Sequence, residues 1–209
     1  MKTLPKLFVI GLITSLFSSC GVLRNTTVPS EGVLINGTIW ARYNVDAPGT
    51  FTANIEDAGM FYQWNKNVGW STTNPLTAYN GSTRWDSSRS DASHWEAQNN
   101  PCPPGWRVPA PIELWLLVDA GSVWTTVNGV VGRQFGSGRN TIFLPAPGFR
   151  DGGGGLRSVD VFGGYWSNAY VPGTTFAYNL SFRPHIAGPG TDNSRVVGFN
   201  VRCVFGDRR

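Results

Sequence analysis

Cysteine placement constrains this chain more than any other feature of its sequence. There are three, Cys20, Cys102 and Cys203, in 209 residues. Cys20 closes an N-terminal segment built like an export signal: Lys2 and Lys6 make a basic start, residues 7–17 are almost wholly apolar, and Ser18-Ser19-Cys20 ends the run. Such a stretch falls short of the ~20 residues a helix needs to cross a bilayer. It reads as a signal peptide ending in a lipobox, with residues 1–19 removed and Cys20 acylated. A plain signal peptide with an incidental cysteine is the alternative. Several acyl chains on one cysteine would anchor the protein stably to a membrane, because a single chain holds only marginally. The expected location is the cell envelope, as an outer-membrane or cell-surface lipoprotein. With Cys20 committed to lipid, Cys102 and Cys203 are left as an even pair in an oxidising compartment, where a disulfide is the natural outcome. Two reduced, buried thiols are the competing reading. Zinc is disfavoured, since the pair has neither a C-x-x-C spacing nor a nearby histidine.

The rest of the chain is sized for one domain. Residues 20–31 are polar and read as a tether, leaving 32–209 to fold. Hydrophobic residues make up 41% and aromatics 13%, enough for a core, while charged residues reach only 14% against roughly 25% in typical soluble domains. With 26 glycines and 9 tryptophans, loops and aromatic packing should dominate. Losing Lys2 and Lys6 with the signal lowers the formal net charge from +4. The remaining basic residues are scattered arginines without the stripe that neutralises phosphates, so no nucleic-acid partner is expected.

Val33-Leu34-Ile35 and Thr38-Ile39-Trp40 flank Asn36-Gly37, the strongest short hairpin signal, so the domain should open with a hairpin. Residues 49–90 read as long loops pinned by Phe61, Tyr62, Trp64, Trp70, Tyr79 and Trp85. A short helix is predicted from Ser93, where Ser93 and Glu96 have capping-box spacing and Pro101 lies beyond. A second is predicted over 110–120, with Pro111 in its first turn and Gly121 as its stop. Its Ile112, Leu114, Trp115, Leu116, Leu117 and Val118 leave almost no polar face, which predicts that it is largely buried. Strands are predicted at 141–144, 176–182 and 197–205. In the last, Val197, Phe199, Val201, Cys203 and Phe205 alternate onto one core-facing side.

Catalytic and metal chemistry find little support. Asp151 and the four glycines after it lack the lysine, hydroxyl residue and helix of a phosphate loop, and read as a flexible loop. His94 and His185, the only histidines, lie near no serine elbow or cysteine nucleophile. The carboxylates are dispersed, so neither a paired-acid glycosidase site nor a calcium cage can be argued. The expectation is a chain that is not an enzyme, with no cofactor and no bound metal.

A run of motifs points further. Pro101-Cys102-Pro103-Pro104-Gly105-Trp106-Arg107-Val108-Pro109 resembles the signature of the Fibrobacter succinogenes major paralogous domain family. Upstream, Ile35-Asn36-Gly37-Thr38-Ile39-Trp40-Ala41 and Gly59-Met60-Phe61-Tyr62-Gln63-Trp64-Asn65 are similar to its opening. Downstream, Phe143-Leu144-Pro145-Ala146, Gly148-Phe149-Arg150, Gly164-Tyr165-Trp166-Ser167 and Gly198-Phe199-Asn200-Val201-Arg202-Cys203-Val204 resemble its later blocks, in order, across nearly all of residues 32–205. The resemblance implies an α+β domain of C-type-lectin-like fold, with two helices, a small antiparallel sheet joining the first and last strands, long loops and one disulfide. It departs at Ala110, where the family usually carries a capping threonine; losing that hydroxyl should cost about 1 kcal/mol. The fold's enzyme relatives need reactive cysteines that this domain would have committed to its bridge. The calcium-binding loop residues of sugar-binding lectins are also missing.

The function these features imply is an exported, lipid-anchored, non-catalytic display domain that recognises a protein or glycan ligand. The alternative is a structural envelope or adhesin component without a discrete ligand. Residues 168–194 are rich in tyrosine and small polar side chains, the composition of recognition surfaces, and the lectin-like fold implies that they are exposed. The candidate ligand-binding residues are Asn168, Tyr170, Tyr178, Asn179, Ser181, Arg183, His185, Asp192 and Asn193. Some variable proteins of diversity-generating retroelements resemble this family and vary in such a stretch. A near-copy of the gene's 3′ end beside a reverse transcriptase gene would mark that case, and its absence would remove it.

Overall fold

The Asn36-Gly37 pair makes the expected turn, with both residues in the left-handed region (φ 44° and 78°), as a two-residue turn matched to strand twist requires. It joins β1 (Gly32–Ile35) to β2 (Thr38–Ala41) in the computed structural model, which describes residues 27–206. The signal segment, Cys20 and most of the tether lie outside the described residues. Next come β3 (Met60–Gln63), β4 (Gly69–Ser71), β5 (Trp106–Arg107) and α1 (Pro111–Asp119). A meander follows, made of β6 (Ser122–Val127), β7 (Val130–Ser137) and β8 (Asn140–Pro145). Then come β9 (Pro147–Arg150), β10 (Leu156–Arg157), β11 (Phe162–Tyr170), β12 (Phe176–Arg183) and β13 (Ile186–Ser194). Two short strands, β14 (Gly198–Phe199) and β15 (Val204–Phe205), end the domain.

Instead of one small antiparallel sheet, the described residues form three. A four-stranded sheet runs β1-β2-β15-β5, a three-stranded one β6-β7-β8, and an eight-stranded one β13-β12-β11-β9-β14-β3-β4 with β10 beside β9. The largest is mixed, because β9 and β11 pair in parallel. The last strand joins the opening hairpin through β2 rather than β1. The domain is therefore mostly β-sheet, with one α-helix among the described residues.

The helix predicted from Ser93 does not form. His94 bridges Ala169, and the Trp95 amide donates to the Asn168 carbonyl at 2.9 Å, so this segment is held extended against β11. Only a 3-10 turn, Ala97–Asn99, follows it. Glu96 caps nothing there: its Oε2 accepts from Asn65 and Asn99. A tertiary ladder has outcompeted a weak local signal.

The second helix stands within a residue of its predicted bounds, but it is buried on one side only. Glu113, Leu114 and Leu117 are buried while Ile112 and Trp115 are each 54% exposed. Ala110 contributes no side-chain cap, and the surviving half of the capping box is Glu113, whose Oε2 accepts the Ala110 amide at 2.7 Å. The same carboxylate takes a two-pronged ion pair from Arg107, at 2.8 Å to each oxygen, a geometry that suits guanidinium. The motif preceding the helix is thereby fixed to its first turn.

Cys102 and Cys203 form the disulfide, with Cα atoms 6.1 Å apart across 101 residues of sequence. It lies in a core with Trp64, Trp95, Trp106, Trp166, Phe199 and Val201. A second core packs under α1 and holds Val33, Trp40, Leu114, Leu117, Phe135, Tyr165, Leu180 and Phe182. Residues 49–90 are not all loop: Phe61 and Tyr62 stand in β3 and Trp70 in β4, and these three and Trp64 are buried, whereas Tyr79 is exposed.

The closing segment is not the single half-buried strand that its alternation predicts. It breaks into β14 and β15, and residues of both parities are buried: Phe199, Val201 and Cys203, but also Asn200, Arg202 and Val204. Arg202 is one of four buried arginines bound to oxygens that carry no formal charge. Its Nε donates to Asn44 Oδ1, and its Nη atoms to the carbonyls of Ala41, Arg42 and Phe143. Arg150 binds Ser71, Thr73 and Gly154. Arg195 binds the carbonyls of Ser90, Ala92, Thr174 and Phe176. Arg133 binds Ser122 and the carbonyls of Arg183 and Pro184. Loops, strand ends and sheet edges expose carbonyls that no ladder satisfies, and the five-donor guanidinium reaches several at once. Burial pulls the Arg202 pKa down to about 10, with Tyr165 partly offsetting it.

The glycine run after Asp151 is likewise built rather than loose. Asp151 Oδ1 accepts the amides of Gly153 and Gly155, and Oδ2 takes the Arg157 Nε at 2.8 Å. Arg157 is the main reason the carboxyl pKa is lowered, and burial opposes it. Gly154 has φ 84° and stands against the Trp85 ring, leaving no room for a Cβ.

Candidate functional site

Strand alternation sorts the β12 side chains into two sets. Leu180 and Phe182 point into the core under α1, and Tyr178 has their parity. Asn179, Ser181 and Arg183 have the other. On that side lies an open depression of about 410 Å³, lined by Ser181 and Arg183 of β12, Thr191, Asp192 and Asn193 of β13, and Phe149, Phe162 and Phe199.

Its polar wall is set by a bulge. Asn179 faces Thr191, yet Ser181, two residues on, faces Gly188, so β13 spends an extra residue at Pro189-Gly190. Bulges of this kind re-aim side chains. Asn179 is fully buried and acts as the hub: its Nδ2 donates to Thr191 Oγ1, its Oδ1 accepts from Asn193 Nδ2, and its carbonyl accepts the Thr191 hydroxyl, each at 3.0 Å. Thr191 Oγ1 also lies 3.1 Å from Ser181 Oγ. Asn179 is thus a positioning residue, and Ser181, Thr191 and Asn193 are the groups it arranges.

Arg183 stands at the rim with its Cζ 5.4 Å from the Phe162 ring centroid. Its guanidinium has no hydrogen bond or ion pair among the described residues, and neither has the exposed Asp192 carboxylate. The face therefore combines an aromatic floor with hydroxyl and amide groups and a fork of donors, while Asp192, directly opposite Tyr178 in the ladder, turns its carboxylate to the other side of the sheet. Such a surface can hold the apolar face of a ring or side chain while bonding its polar edge.

Four candidates lie elsewhere. Asn168 lines a separate depression of about 350 Å³ with His94, Trp95 and Trp106. Tyr170 packs on the buried Arg195, 5.0 Å from ring centroid to Cζ. Tyr178 is on the other side of β12, and His185 is exposed in the β12–β13 turn. Thr191 and the three phenylalanines escaped the sequence reading. Gly188-Pro189-Gly190 carries no strand signal, so nothing local says that Thr191 sits opposite Asn179.

Among the described residues no group of three or more His, Cys, Asp and Glu side chains could hold a metal ion. Among them one hydroxyl–imidazole contact occurs, Ser93 Oγ to His94 Nδ1 at 3.3 Å, between exposed neighbours. No third group among the described residues orients that imidazole, as a catalytic base would need. Comparison with protein-family models, with curated proteins and with solved structures finds no match.

Proposed function

We propose that this chain is a non-catalytic binding domain of C-type-lectin-like type, displayed on the cell envelope and recognising a protein or glycan through the β12–β13 face. The observation that carries the reading is the depression over Phe149, Phe162 and Phe199, with Ser181, Arg183 and Asn193 at its wall and no hydrogen bond or ion pair to the Arg183 guanidinium among the described residues. The motif resemblance supports the fold assignment, and the run ending at Cys20 supports the anchor.

The test is a screen of the full chain against a glycan array and a panel of extracellular and envelope proteins. Ser181→Ala, Arg183→Ala and Asn193→Ala combined should weaken the ligand found by about tenfold or more, as loss of a binding hot spot does. Tyr178→Ala should leave it unchanged. Full affinity in the triple variant, with the fold intact, would move the site away from this face; a screen without any ligand would favour a structural envelope role.

The anchor is tested separately. Growth with a fatty-acid analogue should label the wild-type chain and not Cys20→Ala, and equal labelling of both would refute acylation at Cys20.

A further inference from the structure

Arg42 follows β2 and Arg139 lies in the β7–β8 turn, yet both line one cleft of about 170 Å³. Gln134 and Thr141 line it too, as do the apolar Ile55 and Val127. None of the lining residues is acidic. Neither guanidinium makes a hydrogen bond, ion pair or ring contact among the described residues. Arg89 and Arg157, also at the surface, each take a carboxylate, Asp91 and Asp151 respectively. Glu56, next to Ile55, already accepts from Asn128 at 2.9 Å.

The cleft has fixed walls. The Arg42 amide donates to the Glu31 carbonyl at 2.7 Å, and its own carbonyl accepts from Arg202 Nη1 at 2.6 Å. The other Nη of Arg202 holds the Phe143 carbonyl at 2.9 Å. One buried side chain thus ties the β2 wall to the β8 wall. On the second wall, Gln134 pairs with Phe143 across the β7–β8 ladder, and Thr141 has the same parity as Phe143, so all three side chains share a face. Two like charges facing one concave space without an acid between them raise the local potential, and an anion relieves it.

We infer that this cleft is an oxyanion subsite, which takes the carboxylate, sulfate or phosphate ester of a ligand whose apolar edge rests on Ile55 and Val127. It shares no lining residue with the β12–β13 depression, so it stands or falls independently of the function proposed above.

The experiment is titration of the full chain with inorganic phosphate, sulfate and glucuronate, by calorimetry and amide chemical shifts, at ionic strength held constant with sodium chloride. Saturable millimolar binding is expected, weakened about tenfold by Arg42→Gln or by Arg139→Gln and abolished by both together. Both side chains are exposed, so thermal midpoints should not change. Tighter glucuronate would identify a sugar acid as the carrier, and tighter phosphate or sulfate an ester. Titration without saturation overturns the inference, as does undiminished affinity in the double variant.

Discussion

Replacing Arg202 by methionine should destabilise the domain by about 3–5 kcal/mol. The volume would be kept and a buried charge removed, which in some proteins is neutral or better when both partners of an ion pair are replaced. That escape is closed here because most of the partners are backbone. The carbonyls of Ala41, Arg42 and Phe143, and the Asn44 side chain, would lose the donor that reaches all four. Each buried acceptor left short of a partner costs about 1–3 kcal/mol. Lysine should rescue little, since a single ammonium cannot reproduce a planar fork. Urea unfolding with the disulfide intact would measure the loss as a lower midpoint at unchanged slope. A loss under about 1 kcal/mol would show that water or rearranged chain replaces the guanidinium.

The double variant Cys102→Ala with Cys203→Ala should lose about 2–5 kcal/mol, because the bridge closes a long loop and limits the unfolded chain. Local structure gives little to compensate. The bridge ties the Pro-rich segment before β5 to the closing segment, and β5 and β15 are each only two residues long. Denaturation of the double variant against the wild type reads the loss directly. A change within about 1 kcal/mol would mean that the two buried cores suffice. Arg202 and Cys203 are neighbours, so combining the two changes should not give additive losses.

What the sequence made legible was whatever local chemistry decides. Asn36-Gly37 specified a hairpin because only a few residues tolerate two left-handed positions in succession. Pro111 and Gly121 bracketed α1 for similar reasons. Asn128-Gly129 carries the same hairpin signal, with φ 48° and 86°, and could have revealed the β6–β7 turn. What stayed hidden was decided by distant chain. Asn200 and Arg202 look like the solvent side of an amphipathic strand, and nothing local says that the Ala58 and Met60 carbonyls will hold the first, or that β2 and β8 will cover the second. Ser93 and Glu96 have helix-capping spacing, but β11 draws that segment into extended pairing. The candidate site was half legible for the same reason. Ser181, Arg183, Asp192 and Asn193 could be picked by composition, whereas the hub role of Asn179 depends on a bulge that Gly188-Pro189-Gly190 concealed.

The most direct test of the binding reading is amide hydrogen exchange of the full chain, free and saturated with the ligand recovered from the array or the protein panel. Protection is expected along β12 and β13 and at Phe149 and Phe162, with the α1 helix and the Trp95–Trp106 depression unchanged. Protection confined to that depression or to α1, with β12 and β13 exchanging as in the free protein, would contradict it.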